Sequence, residues 1–157
     1  MIRIITYLVI TIFGISISFA QITSEKITIN NQAIQLPGTL TFSAEKTPLI
    51  IWVHGSGNVD RNGNQKPVVK ANYIKQFRDA VNKQNIAFFS YDKRTANPKN
   101  MEFLKEGVFF ADFIFDVEEV VYHFKNDKRF TEIILTGHSQ GSLIAMMALK
   151  NVDKYIS

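Results

Sequence analysis

The sequence predicts an α/β fold with a mainly parallel sheet and an antiparallel pair of strands at its N-terminal side. Three observations carry this. Two short segments with strand-like alternation come first. Strand-like and helix-like segments then alternate three times. The strands within that alternation are apolar on both faces, as the inner strands of a parallel sheet are.

The elements follow in order. Glu25 to Asn30 alternates polar and apolar residues, the period of a half-buried strand. Ala33 to Ser43 reads as its antiparallel partner across an Asn30-Asn31 link, broken at Pro37-Gly38. Leu49-Ile50-Ile51-Trp52-Val53 is an inner strand that stops abruptly at His54-Gly55-Ser56-Gly57. The polar stretch from Asn58 to Lys70, with Gly63 and Pro67, is a loop. Asn72 to Gln84 is helical, with Ile74, Phe77 and Val81 on one face. Ile86 to Tyr91 is a strand followed by the charged turn Asp92-Lys93-Arg94. A loop through Pro98 leads to a long helix whose buried stripe is Phe113, Val117, Val120, Val121 and Phe124. Glu132 to Thr136 is a strand, Gly137 to Gly141 a sharp turn, and Ser142 to Lys150 a helix; Tyr155 opens another apolar segment. Ile50, Ile51, Val53, Phe88, Phe89, Ile133, Ile134 and Leu135 are the expected inner-strand core.

A chain of 157 residues, 46% hydrophobic and 20% charged, suits one ordinary globular domain. The formal charge of +4 is small and no basic run accompanies it, so nucleic acid is not an expected partner. With no cysteine, the chain holds no disulfide, no thiol nucleophile and no Cys-based zinc site. Residues 1–20 have the plan of a secretory signal peptide. Arg3 is followed by an apolar run from Ile4 to Phe19, and Ser18-Phe19-Ala20 supplies small residues around a cleavage point. The expected division is a signal segment, 1–20, and one domain portion, 21–157, secreted or periplasmic, with the membrane involved only in export. The alternative is an uncleaved N-terminal anchor.

Two motifs carry chemistry. Gly137-His138-Ser139-Gln140-Gly141 is G-x-S-x-G between a predicted strand and a predicted helix, the context that lifts a serine hydroxyl to the tip of a tight turn. Gly137 and Gly141 let strand and helix approach, and the helix N-terminus favours a developing oxyanion. The second motif, His54-Gly55-Ser56-Gly57, follows an earlier strand. An oxyanion needs two N–H donors, expected from Gln140 and from Ser56 or Gly57. The same stretch fails as a dinucleotide fingerprint, because Asp60 stands where the third glycine belongs. Asp60 to Asn64 fails as a calcium loop, because Gly63 is misplaced and Ala71 occupies the position of the closing Glu. No metal or organic cofactor is implied.

These motifs, with Tyr91-Asp92-Lys93-Arg94 between them, resemble the α/β-hydrolase superfamily over residues 25 to 157. The run H-G-S-G-x-x-D-R-N-G is similar to that of secreted bacterial serine hydrolases related to acyl esterases and to the prolyl-oligopeptidase and dienelactone-hydrolase branches. The resemblance implies Ser139 as nucleophile, Gln140 and Ser56 as oxyanion donors, and small-molecule esters or peptides as substrates. Asp60, Arg61, Asp92 and Arg94 would be structural or substrate-mouth residues, with loop salt bridges on a solvated rim the expected role.

That superfamily orders its triad Ser, then acid, then His. After Ser139 the chain holds no histidine, and its one acid, Asp153, comes too early. His54 belongs to the oxyanion motif, His138 should face away from the turn, and His123 lies beside Glu119 on a polar helix face. The expectation is therefore the N-terminal half of a serine hydrolase, inactive by itself. A peptidase of the same fold and a non-catalytic envelope binding protein are the competing readings.

Overall fold

The computed structural model describes residues 21–43 and 46–156. The expected signal segment lies outside them. β1 (Thr23–Asn31) and β2 (Ile34–Phe42) pair antiparallel from end to end. The turn is Gln32-Ala33, with Gln32 at φ 53°, so Asn31 belongs to the strand rather than to the link.

Pro37-Gly38 does not break β2. In an extended strand a residue's N–H and C=O point to the same side. The Pro37 carbonyl accepts from the Asp92 N–H at 2.8 Å, at the very end of the ladder on that side. The missing proline donor therefore removes only a terminal rung. Gly38 lies under the Phe89 ring, where a Cβ would come within 2.5 Å of a ring carbon.

β3 (Thr47–Val53) leads to a small hairpin, β4 (Asn64–Gln65) and β5 (Val69–Lys70), within the stretch read as loop. Then come α1 (Tyr73–Asn82), β6 (Ala87–Tyr91), a 3₁₀ turn (Pro98–Leu104), α2 (Phe110–Phe124), β7 (Phe130–Gly137) and α3 (Gln140–Val152). Asp153–Tyr155 is a further 3₁₀ turn, so the apolar segment that opens at Tyr155 begins in a turn, and Ile156 is extended. The sheet order is β1-β2-β6-β3-β7, with β6, β3 and β7 parallel.

Strand alternation divides the core. Leu49, Ile51 and Val53 face α2 and α3, joining Phe89, Val117, Val120, Val121, Phe124 and Ile144. Ile50 and Trp52 face α1, with Phe88 and Ile74. Of the expected core, Ile51, Val53, Phe88, Phe89 and Ile133 are buried, whereas Ile50, Ile134 and Leu135 are half-buried. The last two belong to β7, which pairs only with β3 among the described residues and so gains cover from one neighbour. Ile50 lies on the face that α1, a ten-residue helix, covers incompletely.

Candidate active site

β7 ends at Gly137 and α3 begins at Gln140, so two residues make the reversal. This is tighter than the five-residue turn expected, with Gly141 already inside the helix. The His138 N–H donates to the Val53 carbonyl at 3.2 Å, and the Gly141 N–H donates to the His138 carbonyl at 2.9 Å. The Ser142 hydroxyl donates to the Gly137 carbonyl at 2.9 Å. A Cβ on Gly137 would stand 2.5 Å from the Gly141 oxygen, and one on Gly141 would stand 2.6 Å from the His54 oxygen. Both glycines are there because backbone fills the space.

Ser139 takes φ 54°, ψ −124°. An L-residue holds such a conformation at a cost of about 1–3 kcal/mol, sustained by its surroundings. The result is an exposed serine at the tip, with no capping bond to α3. Gln140, half-buried, is the first residue of α3, so its N–H has no carbonyl one turn back within the helix.

The second loop comes from the carboxyl end of β3, the immediate neighbour of β7. His54 and Gly55 are buried, and Ser56, Gly57 and Asn58 are exposed. A Cβ on Gly55 would lie 3.4 Å from the Ser139 Cβ and 3.1 Å from the His138 oxygen, so the two motifs touch. Gly57 has φ 91° and packs its bare Cα against the Gln65 side chain. The residues singled out in sequence, Ser56 and Gly57 on one side and Gly137 to Gly141 on the other, therefore converge at one end of the parallel strands.

The histidines are placed as follows. His54 is 1% exposed, and its Nε2 bonds the Tyr91 carbonyl oxygen. A carbonyl only accepts, so Nε2 carries the proton and Nδ1 is a buried lone pair without a partner among the described residues. Burial, foremost, pushes its pKa down to about 4. His138 stacks on Trp52 at 6.4 Å and lies beside Tyr73, with its Nδ1 against Gly55. His123 is exposed on α2. Among the described residues none of the three bonds the Ser139 hydroxyl.

The charged residues depart from a solvated rim. Arg61 makes a two-pronged bond to Asp92 at 2.7 and 2.8 Å and also donates to the Gly38 carbonyl. Arg94 is 6% exposed and binds Asp116, itself 1% exposed, through two contacts of 2.7 Å. Asp60 accepts from the Asn62 and Asn64 N–H groups and folds its loop. A charged turn reads as solvated in sequence; here α2 and the β3 loop close over it. Lys93 was given no role by the motifs. Its Nζ donates to the Gly55 carbonyl at 2.8 Å and to Gln140 Oε1 at 3.3 Å. The one signal for it in sequence is a positive charge two residues after an apolar strand.

Two recesses flank the exposed loop. A polar one of about 460 Å³ includes Asn58, Asn62, Lys66 and Thr95. An apolar one of about 340 Å³ shares Asn58 and Thr95 and adds Met101, Leu104 and Val108. Among the described residues no group of three or more His, Asp or Glu side chains gathers as metal ligands.

No protein-family model and no curated protein matches the sequence. Solved structures do match the backbone. Dienelactone hydrolase from Anabaena variabilis aligns with a TM-score of 0.69 and 15% identity, over 87% of this chain and 61% of its own. Est1E from Butyrivibrio proteoclasticus, in a structure with ferulic acid bound, aligns with a TM-score of 0.65 and 23% identity, over 83% and 49%. Brefeldin A esterase, a bacterial homologue of human hormone sensitive lipase, gives a TM-score of 0.65 and 11% identity, over 97% and 39%. The fold is that of α/β hydrolases, and the chain spans about half the length of these structures.

Proposed function

We propose that the full-length protein hydrolyses carboxylic esters through an acyl-enzyme on Ser139, and that it is exported by way of residues 1–20. The observation that carries the catalytic reading is the Ser139 backbone at φ 54°, ψ −124° on a two-residue turn against the Gly55–Gly57 loop. Such strain is kept where a side chain must be held out of the regular path. In this reading the Ser139 oxygen attacks the acyl carbonyl carbon and its proton passes to a base. The tetrahedral oxyanion accepts hydrogen bonds from the N–H groups of Gln140 and of Ser56 or Gly57. Collapse expels the alcohol, and water releases the acid from Ser139 by the reverse sequence. The base and acid would come from parts of the full-length protein beyond these residues. The matched esterases and hydrolases support the ester class.

The test is the full-length protein with p-nitrophenyl butyrate, beside its Ser139→Ala variant. A loss of ~10³-fold or more in kcat is expected on Ser139→Ala. A fluorophosphonate should add its phosphonyl group to Ser139, read by peptide mass spectrometry. Equal turnover in the two proteins would refute the assignment. Export is checked separately, by the N-terminal sequence of protein recovered outside the cytoplasm, expected to begin at Gln21.

A further inference from the structure

We infer that Lys93 is a positioning residue for the oxyanion site, fixing the Gly55–Ser56 peptide and the Gln140 side chain from the buried side. This rests on the reading of Ser139 as nucleophile and deepens it.

Lys93 is the second residue after β6, which lies beside β3 in the sheet. That adjacency carries its side chain beneath the β3 loop. The residue is 4% exposed, and its ammonium sits 4.3 Å from the centroid of the Phe113 ring, which covers it. It donates to the Gly55 carbonyl at 2.8 Å and to Gln140 Oε1 at 3.3 Å. One cation thus reaches both segments expected to supply oxyanion donors.

The geometry of a trans peptide gives this contact its consequence. The C=O and N–H of one peptide unit point in opposite directions. With the Gly55 oxygen drawn inward to Lys93, the Ser56 N–H faces outward, on the side where Ser56 is exposed. A flipped peptide would set the Ser56 N–H against an ammonium that can only donate. Lys93 therefore admits one of the two orientations, the one that presents a donor to the site. Glycine at position 55 makes the restraint necessary, because it has the backbone freedom to flip.

The energetic argument points the same way. A buried ammonium is expensive, and an apolar side chain of the same length commonly serves packing better. Burial lowers the Lys93 pKa to about 8, against the opposing attraction of Asp116. The surroundings, Val53, Phe113 and Ile144 among them, would suit methionine. What methionine lacks is the donor to the Gly55 carbonyl.

The experiment uses the full-length protein as wild type, Lys93→Met, Lys93→Gln and Ser139→Ala. It measures kcat and KM for p-nitrophenyl butyrate, the inhibition constant of butylboronic acid as a tetrahedral mimic, and the melting midpoint. In the Lys93 variants kcat is expected to fall ~10–100-fold with KM within about twofold, and boronate affinity to fall in parallel. A merely structural role would lower the melting midpoint and the active fraction but leave the boronate inhibition constant of the folded molecules unchanged. Wild-type kcat and boronate affinity in either folded variant overturn the proposal. So does failure of both variants to fold, since it would make Lys93 a support of the fold. Full activity in Ser139→Ala refutes the underlying nucleophile assignment, and that arm alone reports it.

Discussion

Burial keeps His54 neutral, outweighing the bond to the Tyr91 carbonyl, which favours the protonated ring, and holds the pKa near 4 against an ordinary 6.5. The unfolded chain therefore binds a proton between these values that the folded chain does not. Stability is complete above about pH 6.5, is lost as pH falls toward 4, and changes no further on this account below 4. That difference corresponds to about 3 kcal/mol. Urea midpoints at pH 7, 5 and 4 should show this slope, and His54→Asn should flatten it; an unchanged slope in the variant would assign the acid sensitivity elsewhere. Gly141 is the other residue with a sharp expectation. A methyl group there meets the Val53 and His54 carbonyl oxygens, which are backbone and cannot swing aside. Gly141→Ala is expected to cost about 1–3 kcal/mol or more and to displace the Ser139 turn, read by melting midpoint and fluorophosphonate labelling together. Both motifs were legible in sequence because each is a run of adjacent residues with glycines at fixed offsets. Lys93 was not, because its contacts at Gly55 and Gln140 lie 38 and 47 residues away. They exist only once β6 is known to lie beside β3.

At the scale of elements, α2 is held by more than its apolar stripe. Asp116 binds Arg94 from the turn after β6 and accepts from the Asn31 side chain of β1 at 2.9 Å, while the Arg94 guanidinium also reaches the Asp112 carbonyl at 3.0 Å. One buried pair therefore joins a helix, the turn after the middle strand and the far hairpin. Its net contribution over apolar replacements is small, but removing one partner strands a buried charge. Asp116→Ala is expected to cost about 3–5 kcal/mol in urea unfolding, and Arg94→Met with Asp116→Leu to recover most of it. A single-variant loss below about 1 kcal/mol would show that water reaches the pair. Of the stripe read from its helical period, Val117, Val120, Val121 and Phe124 are buried and Phe113 is half-buried. The pair was not, since period says nothing of which polar residue on a helix faces inward. Pro37-Gly38 misled for a related reason. Local propensity marks a break, whereas the position of those residues at the end of a ladder, under the Phe89 ring, makes them compatible with a continuous strand.

For the whole molecule, the α/β class and the antiparallel pair followed from alternation and period alone. The order β1-β2-β6-β3-β7 did not, because it depends on which apolar faces meet after the chain has crossed over. That order sets the behaviour of the 157-residue chain by itself. Phe130, Ile133, Ile134 and Leu135 lie in β7, at the edge of the described sheet. Beside it is a groove of about 310 Å³ formed with Ala145, Met146 and Leu149 of α3. An apolar strand with an unpaired edge templates association. The isolated chain is therefore expected to self-associate with rising concentration in sedimentation velocity, and Ile134→Lys to reduce this by placing a charge on the edge strand. Its turnover of p-nitrophenyl acetate should be slow for a separate reason. No histidine among the described residues reaches the Ser139 hydroxyl, and an unassisted serine is a weak nucleophile at neutral pH. A residual ~10³-fold advantage over water is the most that oxyanion donors and binding supply without the base. Rapid turnover by the isolated chain, abolished by Ser139→Ala, would mean that His54, His123 or His138 moves to serve as the base. A monomeric chain at high concentration would mean instead that other residues cover the edge of β7.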